Sequence, residues 1–177
     1  MTLKELTKDK HEQAENTKFM KCVFNKTLPN SLWNDYTFQR ALIYSSIESK
    51  CINFNLISPR SELIRAPKLM DDFLYAQQDY ICRQITIDYQ QYIRQLTDPQ
   101  LILAHLYTWH MGDLFGGQAI KNIVTGVRHS ALEFENKMIC IHTIRGLCDK
   151  YEVADTNEPN TAFDWAIKLL ESYDGLL

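Results

Sequence analysis

Apolar positions recur along this chain at intervals of three and four, the spacing of one face of an α-helix. In "SLWNDYTFQRALIYSSIESK", Leu32, Tyr36, Phe38, Leu42, Ile43 and Ile47 make a broad stripe, so a long helix is expected from about Ser31 into the fifties. Upstream, Thr2 and Glu5 have capping-box spacing and open a helix expected to run through about Cys22. Its apolar residues Leu3, Leu6, Ala14, Phe19 and Met20 are thinly spread among charges. Pro59 and Pro67 bracket a short segment, and "LMDDFLYAQQDYICRQI" then reads as a third helix. "ITIDYQQYI" alternates briefly, as a strand would, but lies between helical segments. Asp98 and Pro99 suit the N-cap and first position of the next helix, "PQLILAHLYTWHMGDLFGGQAIKNI". "SALEFENKMICIHTIRGLCDKY" and "NTAFDWAIKLLESY", the latter closed by Gly175, complete the set. With no linker, repeat or low-complexity tract, residues 1–177 are expected to form a single all-α domain.

Composition changes this picture little. The 177 residues are 45% hydrophobic and 23% charged, with a formal net charge of −3, ordinary for a soluble domain able to bury its own core. The charge gives no reason to expect a nucleic-acid partner, and no apolar run is long enough to expect a membrane span. The polar start "MTLKELTKDKHEQ" is read as no secretory signal. The five cysteines (Cys22, Cys51, Cys82, Cys140, Cys148) include no C-x-x-C pair, so free thiols in a reducing cytoplasm are expected.

Two segments carry candidate chemistry. The chain has six glycines, and Gly112, Gly116 and Gly117 all fall within "GDLFGG". Three glycines in a helix interior cost roughly 2–3 kcal/mol of helix propensity. Two bland explanations compete: close helix–helix packing, or the junction of two helices. The functional one is a bare groove on adjacent turns, bent at the glycines, whose backbone can lie against something flat. Asp113 sits inside the cluster, and a carboxylate beside an apolar groove is expensive unless solvated or employed. The second segment is "LTKDKHEQAENTKFM", where Thr7, His11 and Glu15 are each four apart. A carboxylate one turn from an imidazole can fix its tautomer and raise its basicity as a ligand, although such a histidine is more often a plain surface residue.

Together these segments resemble the haem oxygenase family. "LTKDKHEQAENTKFM" is similar to its N-terminal helix, and "LAHLYTWHMGDLFGGQ" to its distal-helix signature. "YTFQRALIYSSIE", "SELIRAPKLMDDF" and "NTAFDWAIKLLESY" match further segments of the family, the second more loosely. The resemblance implies a helical bundle holding haem b between a proximal and a kinked distal helix. It implies His11 as axial iron ligand with Glu15 steadying it and Thr7 beside it. Gly112, Gly116 and Gly117 would form the distal wall, with Asp113 fixing waters near dioxygen and Tyr44 bonding into that network. Tyr107 and Phe163 would line the pocket, and Lys4 and Arg145 would meet the propionates. The implied reaction is oxidative cleavage of haem at a meso carbon, the alpha position expected, giving biliverdin, carbon monoxide and ferrous iron.

Electrons must come from outside, since no flavin or iron–sulfur motif is visible. Ferredoxin is favoured over a flavoprotein reductase, because the ending "LLESYDGLL" lacks a membrane tail. Lys4, Lys8, Lys10, Lys18 and Lys21 are a candidate docking face, with a solvated helix face as the alternative. A downstream bilin reductase is a further candidate partner, and a cytoplasmic monomer is expected. Three positions depart from the family: Trp109 for its arginine or threonine, His110 for its tyrosine, and Phe115 for its serine. His110 is read as facing either solvent or the pocket. The competing functions are a haem- or bilin-binding protein without turnover, and a thiamine-degrading enzyme, which would need a cysteine nucleophile in the pocket.

Overall fold

The computed structural model describes all of residues 1–177. Nine α-helices follow one another: α1 (Leu3–Leu6), α2 (Lys8–Glu15), α3 (Lys18–Phe24), α4 (Asn30–Asn53), α5 (Ala66–Tyr75), α6 (Gln84–Gln95), α7 (Pro99–Ile123), α8 (Lys137–Lys150) and α9 (Glu158–Glu171). Short 3₁₀ turns occupy Ser130–Leu132, Val153–Asp155 and Asp174–Leu176. There is no strand, so the all-α expectation holds. No helix is long and apolar enough to cross a membrane.

Helix α7 runs through the middle, packed on α4, α8 and α9, while α4 also carries α5 and α6. The Asp98 side chain accepts from Gln100 N–H at 2.8 Å and Pro99 follows, as the sequence predicts. Helical backbone continues unbroken through Gly112–Gly117, which removes the reading in which the glycines join two helices. The capping box of Thr2 and Glu5 forms in both directions.

Four element boundaries depart from the pattern-based expectation. The N-terminal segment is three helices, not one. It breaks at Thr7 and at Asn16–Thr17, where the Asn16 amide bonds Glu12 O at 2.8 Å and Thr17 caps α3 through Met20 N–H. Such side-chain bonds offer the backbone an alternative to helix continuation. The expected third helix stops at Tyr75, because Gln77 takes a left-handed backbone (φ 52°). The buried Gln39 of α4 then satisfies the connecting strand of chain, donating to Ile81 O at 2.8 Å and accepting from Arg83 N–H at 3.1 Å and Thr86 Oγ1 at 2.7 Å. The helix expected over "SALEFENKMICIHTIRGLCDKY" begins only at Lys137, after the 3₁₀ turn at Ser130–Leu132, while "ITIDYQQYI" is helical, burying Thr86, Tyr89 and Ile93 on one face. Gly175 does not close α9; Ser172 is its C-cap and Gly175 lies in the final 3₁₀ turn.

The arrangement positions a cavity. Helices α1–α3 lean on α9, leaving a space of about 830 Å³ between α2 and the glycine stretch of α7.

Candidate functional site

The cavity is a slot with two unlike long walls. One wall is α1–α2, presenting Lys4, Thr7, His11 and Glu15; the other is α7, presenting Tyr107, Trp109, Gly112, Asp113, Phe115 and Gly116. Helix α4 closes one side with Trp33, Tyr36 and Arg40, and α9 another with Phe163, Ala166 and Leu170. Arg145 of α8 stands at the opening, exposed, with its guanidinium 5.8 Å from the Phe115 ring centroid. All the pocket residues that the resemblance implies therefore line this one cavity except Tyr44, which sits directly behind Asp113.

The glycines separate into two kinds. A Cβ added at Gly112 or Gly116 would meet nothing within 4 Å, so their bare faces look into open space and serve no helix packing. A Cβ at Gly117 would lie 3.1 Å from a Leu132 side-chain carbon, so this glycine allows close packing as well as lining the cavity. Gly116→Ala is therefore expected to stabilise the ligand-free protein by about 1 kcal/mol, the gain in helix propensity, because the added methyl meets no protein atom. The same methyl would stand in the slot and weaken ligand binding. Urea unfolding together with a ligand titration separates the two effects, and loss of stability without ligand would contradict them.

His11 is largely exposed (58% of its side chain), with the Phe163 ring edge-on at 5.9 Å. Glu15 lies 3.7 Å from His11 Nδ1, an ion-pair separation rather than the hydrogen bond expected between them. The Thr7 hydroxyl is committed to the helix junction, donating to Leu3 O at 2.8 Å.

The most unexpected feature is Arg40. Its Nη2 donates to both carboxylate oxygens of Asp113, and the two side chains are 4% and 13% exposed. Tyr44 is fully buried; its hydroxyl donates to Asp113 Oδ2 at 2.7 Å and lies 2.9 Å from the Trp109 carbonyl. The Arg40 guanidinium is 5.5 Å from the ring centroids of both Tyr36 and Tyr44. Burial opposes the guanidinium charge, but Asp113, with the two tyrosines, outweighs it and keeps the group firmly cationic. Burial also pushes the Tyr36 phenol up to about 12 and Tyr44 well above its ordinary value, so both stay neutral donors. The carboxylate to which the resemblance gives the fixing of waters is bonded by both Arg40 and Tyr44. The sequence reading missed Arg40 altogether.

His110 faces neither solvent nor cavity, contrary to both expectations. It is 0% exposed, with Nε2 at 3.0 Å from Leu63 O and 3.2 Å from Glu48 Oε1, and its ring 4.5 Å from that of Tyr44. Two of the five candidate docking lysines are already engaged: Lys10 pairs with Asp164 at 2.6 Å, and Lys18 donates to Asp174 O at 3.0 Å. No cysteine lines the cavity, and burial pushes the Cys140 thiol up to about 11 and Cys148 to about 12, which leaves the thiamine-degrading reading without its nucleophile.

An imidazole on one wall and a glycine-faced helix on the other, with Lys4 and Arg145 among the lining, define a helical bundle with a slot between two unlike helices. Comparison with known proteins gives this class its family. The "Heme oxygenase" family model matches residues 1–142, and the chain belongs to the haem oxygenase family. It is 33% identical over 135 residues to heme oxygenase 1 of Nostoc sp., covering 66% of this chain and 54% of that protein. Against heme oxygenase 1 of Gallus gallus it is 35% identical over 138 residues, 68% of this chain and 45% of that one. It thus spans about half the length of the curated relatives it matches. The fold is similar to crystallised heme oxygenase-1 from Synechocystis sp. in complex with heme, with a TM-score of 0.85, 25% identity, and coverage of 98% and 91% of the two chains.

Proposed function

We propose that this chain binds haem b in the slot and, with dioxygen and electrons from a soluble donor such as ferredoxin, opens the ring at a meso carbon to biliverdin, carbon monoxide and ferrous iron. The carrying observation is the buried Arg40–Asp113–Tyr44 cluster, set against the bare faces of Gly112 and Gly116 and opposite His11.

The residues present fit the group. A cavity of about 830 Å³ lies within the roughly 300–1,000 Å³ usual for small-molecule sites. His11 would supply a nitrogen to the iron, Lys4 and Arg145 would supply cations for the propionates, and Tyr107, Phe163 and Ala166 would supply apolar walls. Haem, when bound, would supply the iron at which dioxygen is activated. The protein's share is placement. Gly112 and Gly116 let the α7 backbone come close to the ring plane. Asp113 is held rigid from two sides, so water hydrogen-bonded to it meets a fixed acceptor edge. Tyr44 and Arg40 hold that carboxylate in place without offering a competing base, as both remain protonated. Lys4 and Lys8, which line the cavity on its outer α1–α2 wall, suit an acidic electron donor. A binder without turnover would need His11 and the glycines, but has no use for a clamped carboxylate beside them.

The test is a single turnover. The purified protein is given an equimolar amount of haem, then ferredoxin, its reductase and NADPH under air. Loss of the Soret band, a rising red bilin band and carbon monoxide trapped by myoglobin are expected. A stable haem spectrum with every donor tried would establish the binder.

A further inference from the structure

On the far side of Trp109 from the cavity, a buried polar chain runs to the protein surface, and nothing in the proposed reaction uses it. Trp109 Nε1–H donates to the Tyr89 hydroxyl at 2.9 Å. The same hydroxyl lies 2.6 Å from His105 Nδ1. Glu158, held below the usual carboxylate range, only accepts, so the His105 ring, whose charged form burial disfavours, carries its proton on Nε2 towards Glu158 Oε1 at 2.9 Å and accepts from Tyr89 at Nδ1. The Tyr92 hydroxyl donates to the same oxygen at 2.6 Å. The direction of every hydrogen bond is thus fixed by the chemistry of its end group. Tyr89 and His105 are 1% and 0% exposed, whereas Tyr92 and Trp165 are only partly buried. The rings form a ladder alongside. Trp109 lies 6.3 Å from Tyr89, Tyr89 stacks on Trp165 at 5.0 Å with an interplanar angle of 5°, and Tyr92 lies 5.5 Å from Trp165.

A structural clamp joining α6, α7 and α9 would need the hydrogen bonds but not a redox-active ring at each step from cavity wall to surface. Burial holds the Tyr89 phenol far above its ordinary value, so simple deprotonation is closed to it at neutral pH. Losing the proton together with an electron is open, because His105 Nδ1 lies 2.6 Å from the hydroxyl and the ring can pass its own Nε2 proton to Glu158 as it accepts, staying neutral where burial disfavours its charged form.

We infer that Trp109, Tyr89 and Trp165 form a relay that carries an oxidising equivalent from the cavity to the surface, with His105 and Glu158 holding the Tyr89 proton. It rests on the haem reading for the place where its oxidant, hydrogen peroxide, reacts. An electron leaves Tyr89 through Trp109 towards the cavity. The phenolic proton passes to His105 Nδ1, and the Nε2 proton passes to Glu158 Oε1. An external phenol or ascorbate then returns an electron through Trp165, and both protons move back. Two such turns supply the two electrons that reduce one peroxide to water, while two donor molecules lose an electron and a proton each. The activity is a peroxide-consuming one that spares the pocket residues from oxidation.

The experiment freezes haem-loaded protein within seconds of adding peroxide and records its electron paramagnetic resonance spectrum, beside a single-turnover ring-opening assay on the same preparations. A tyrosyl signal is expected in the parent, absent in Tyr89→Phe and diminished in His105→Asn, with both variants still binding haem. Trp165→Phe should keep the signal but slow its quenching by ascorbate. A signal unchanged in Tyr89→Phe, or none in a parent that binds haem and opens the ring, overturns the relay and leaves the oxygenase reading standing. A parent that fails to take up haem overturns that reading and, with it, the relay's oxidant site.

Discussion

Asp113→Ala is expected to destabilise the protein by about 3–5 kcal/mol, the usual consequence of stranding one member of a buried ion pair. The stranded group would be the Arg40 guanidinium, 4% exposed and with no second carboxylate among its contacts. Tyr44 would keep only the Trp109 carbonyl as acceptor. Adding Arg40→Leu removes the stranded charge as well, so the double variant should recover stability relative to Asp113→Ala, with a coupling energy on the order of 2 kcal/mol. Urea unfolding of the parent, both single variants and the double variant measures it; strictly additive effects would mean that the pair contributes nothing as a pair. The functional loss should not recover with the stability. In the double variant nothing fixes water beside the slot, so haem should bind but be bleached without bilin. Asp113→Asn keeps the shape and an oxygen for Tyr44 but also removes the charge that faces Arg40, so its stability is read in the same urea series. Bilin formation by Asp113→Asn at the parent's rate would remove the carboxylate from the chemistry.

This pair also marks where the sequence stops being readable. In α4 the stripe of apolar residues is correctly placed, yet the same helix buries Gln39, Arg40 and Glu48. A reading by hydrophobic pattern assigns polar residues to solvent. It has no means of knowing that Gln39 will serve the backbone of residues 81–83, or that Glu48 will accept from the N–H groups of Arg65 and Ala66. Those partners lie far along the chain, and only the fold brings them together. His110 fails for the same reason: its position on α7 is evident, but its rotation towards Glu48 and Leu63 depends on how α7 packs on α4. The glycines and His11 were legible because their signals are local, carried by composition within one or two helical turns. The relay residues Tyr89 and His105 looked like ordinary aromatic and polar helix positions. What could have marked Tyr89 is the helical spacing it shares with Thr86 and Ile93, masked by the brief alternation around it.

His11→Ala should have the opposite character: a large effect on the site with almost none on the fold. The His11 side chain is 58% exposed, makes no hydrogen bond, and touches the rest of the protein chiefly through the edge of Phe163 and the approach of Glu15. Substitutions of that kind usually change stability by no more than about 0.5 kcal/mol, so the urea midpoint should hardly move. Haem should still partition into the slot, since the apolar walls, Gly112, Gly116 and the cations at the mouth are untouched. Its visible and electron paramagnetic resonance spectra should lose the histidine-ligated signature, and turnover should fall with them. The space vacated beside Phe163 is open to solvent, which allows a direct rescue: added imidazole should enter, restore the nitrogen-ligated spectrum and return part of the ring-opening rate. Lys4 and Arg145 hold the ring by its edges in this scheme, so rescue requires that they and the glycine wall keep the iron in register without His11. An unchanged spectrum in His11→Ala would assign the axial position to another residue. A lost spectrum that imidazole fails to restore would mean that His11 orders the slot as well as supplying a nitrogen ligand.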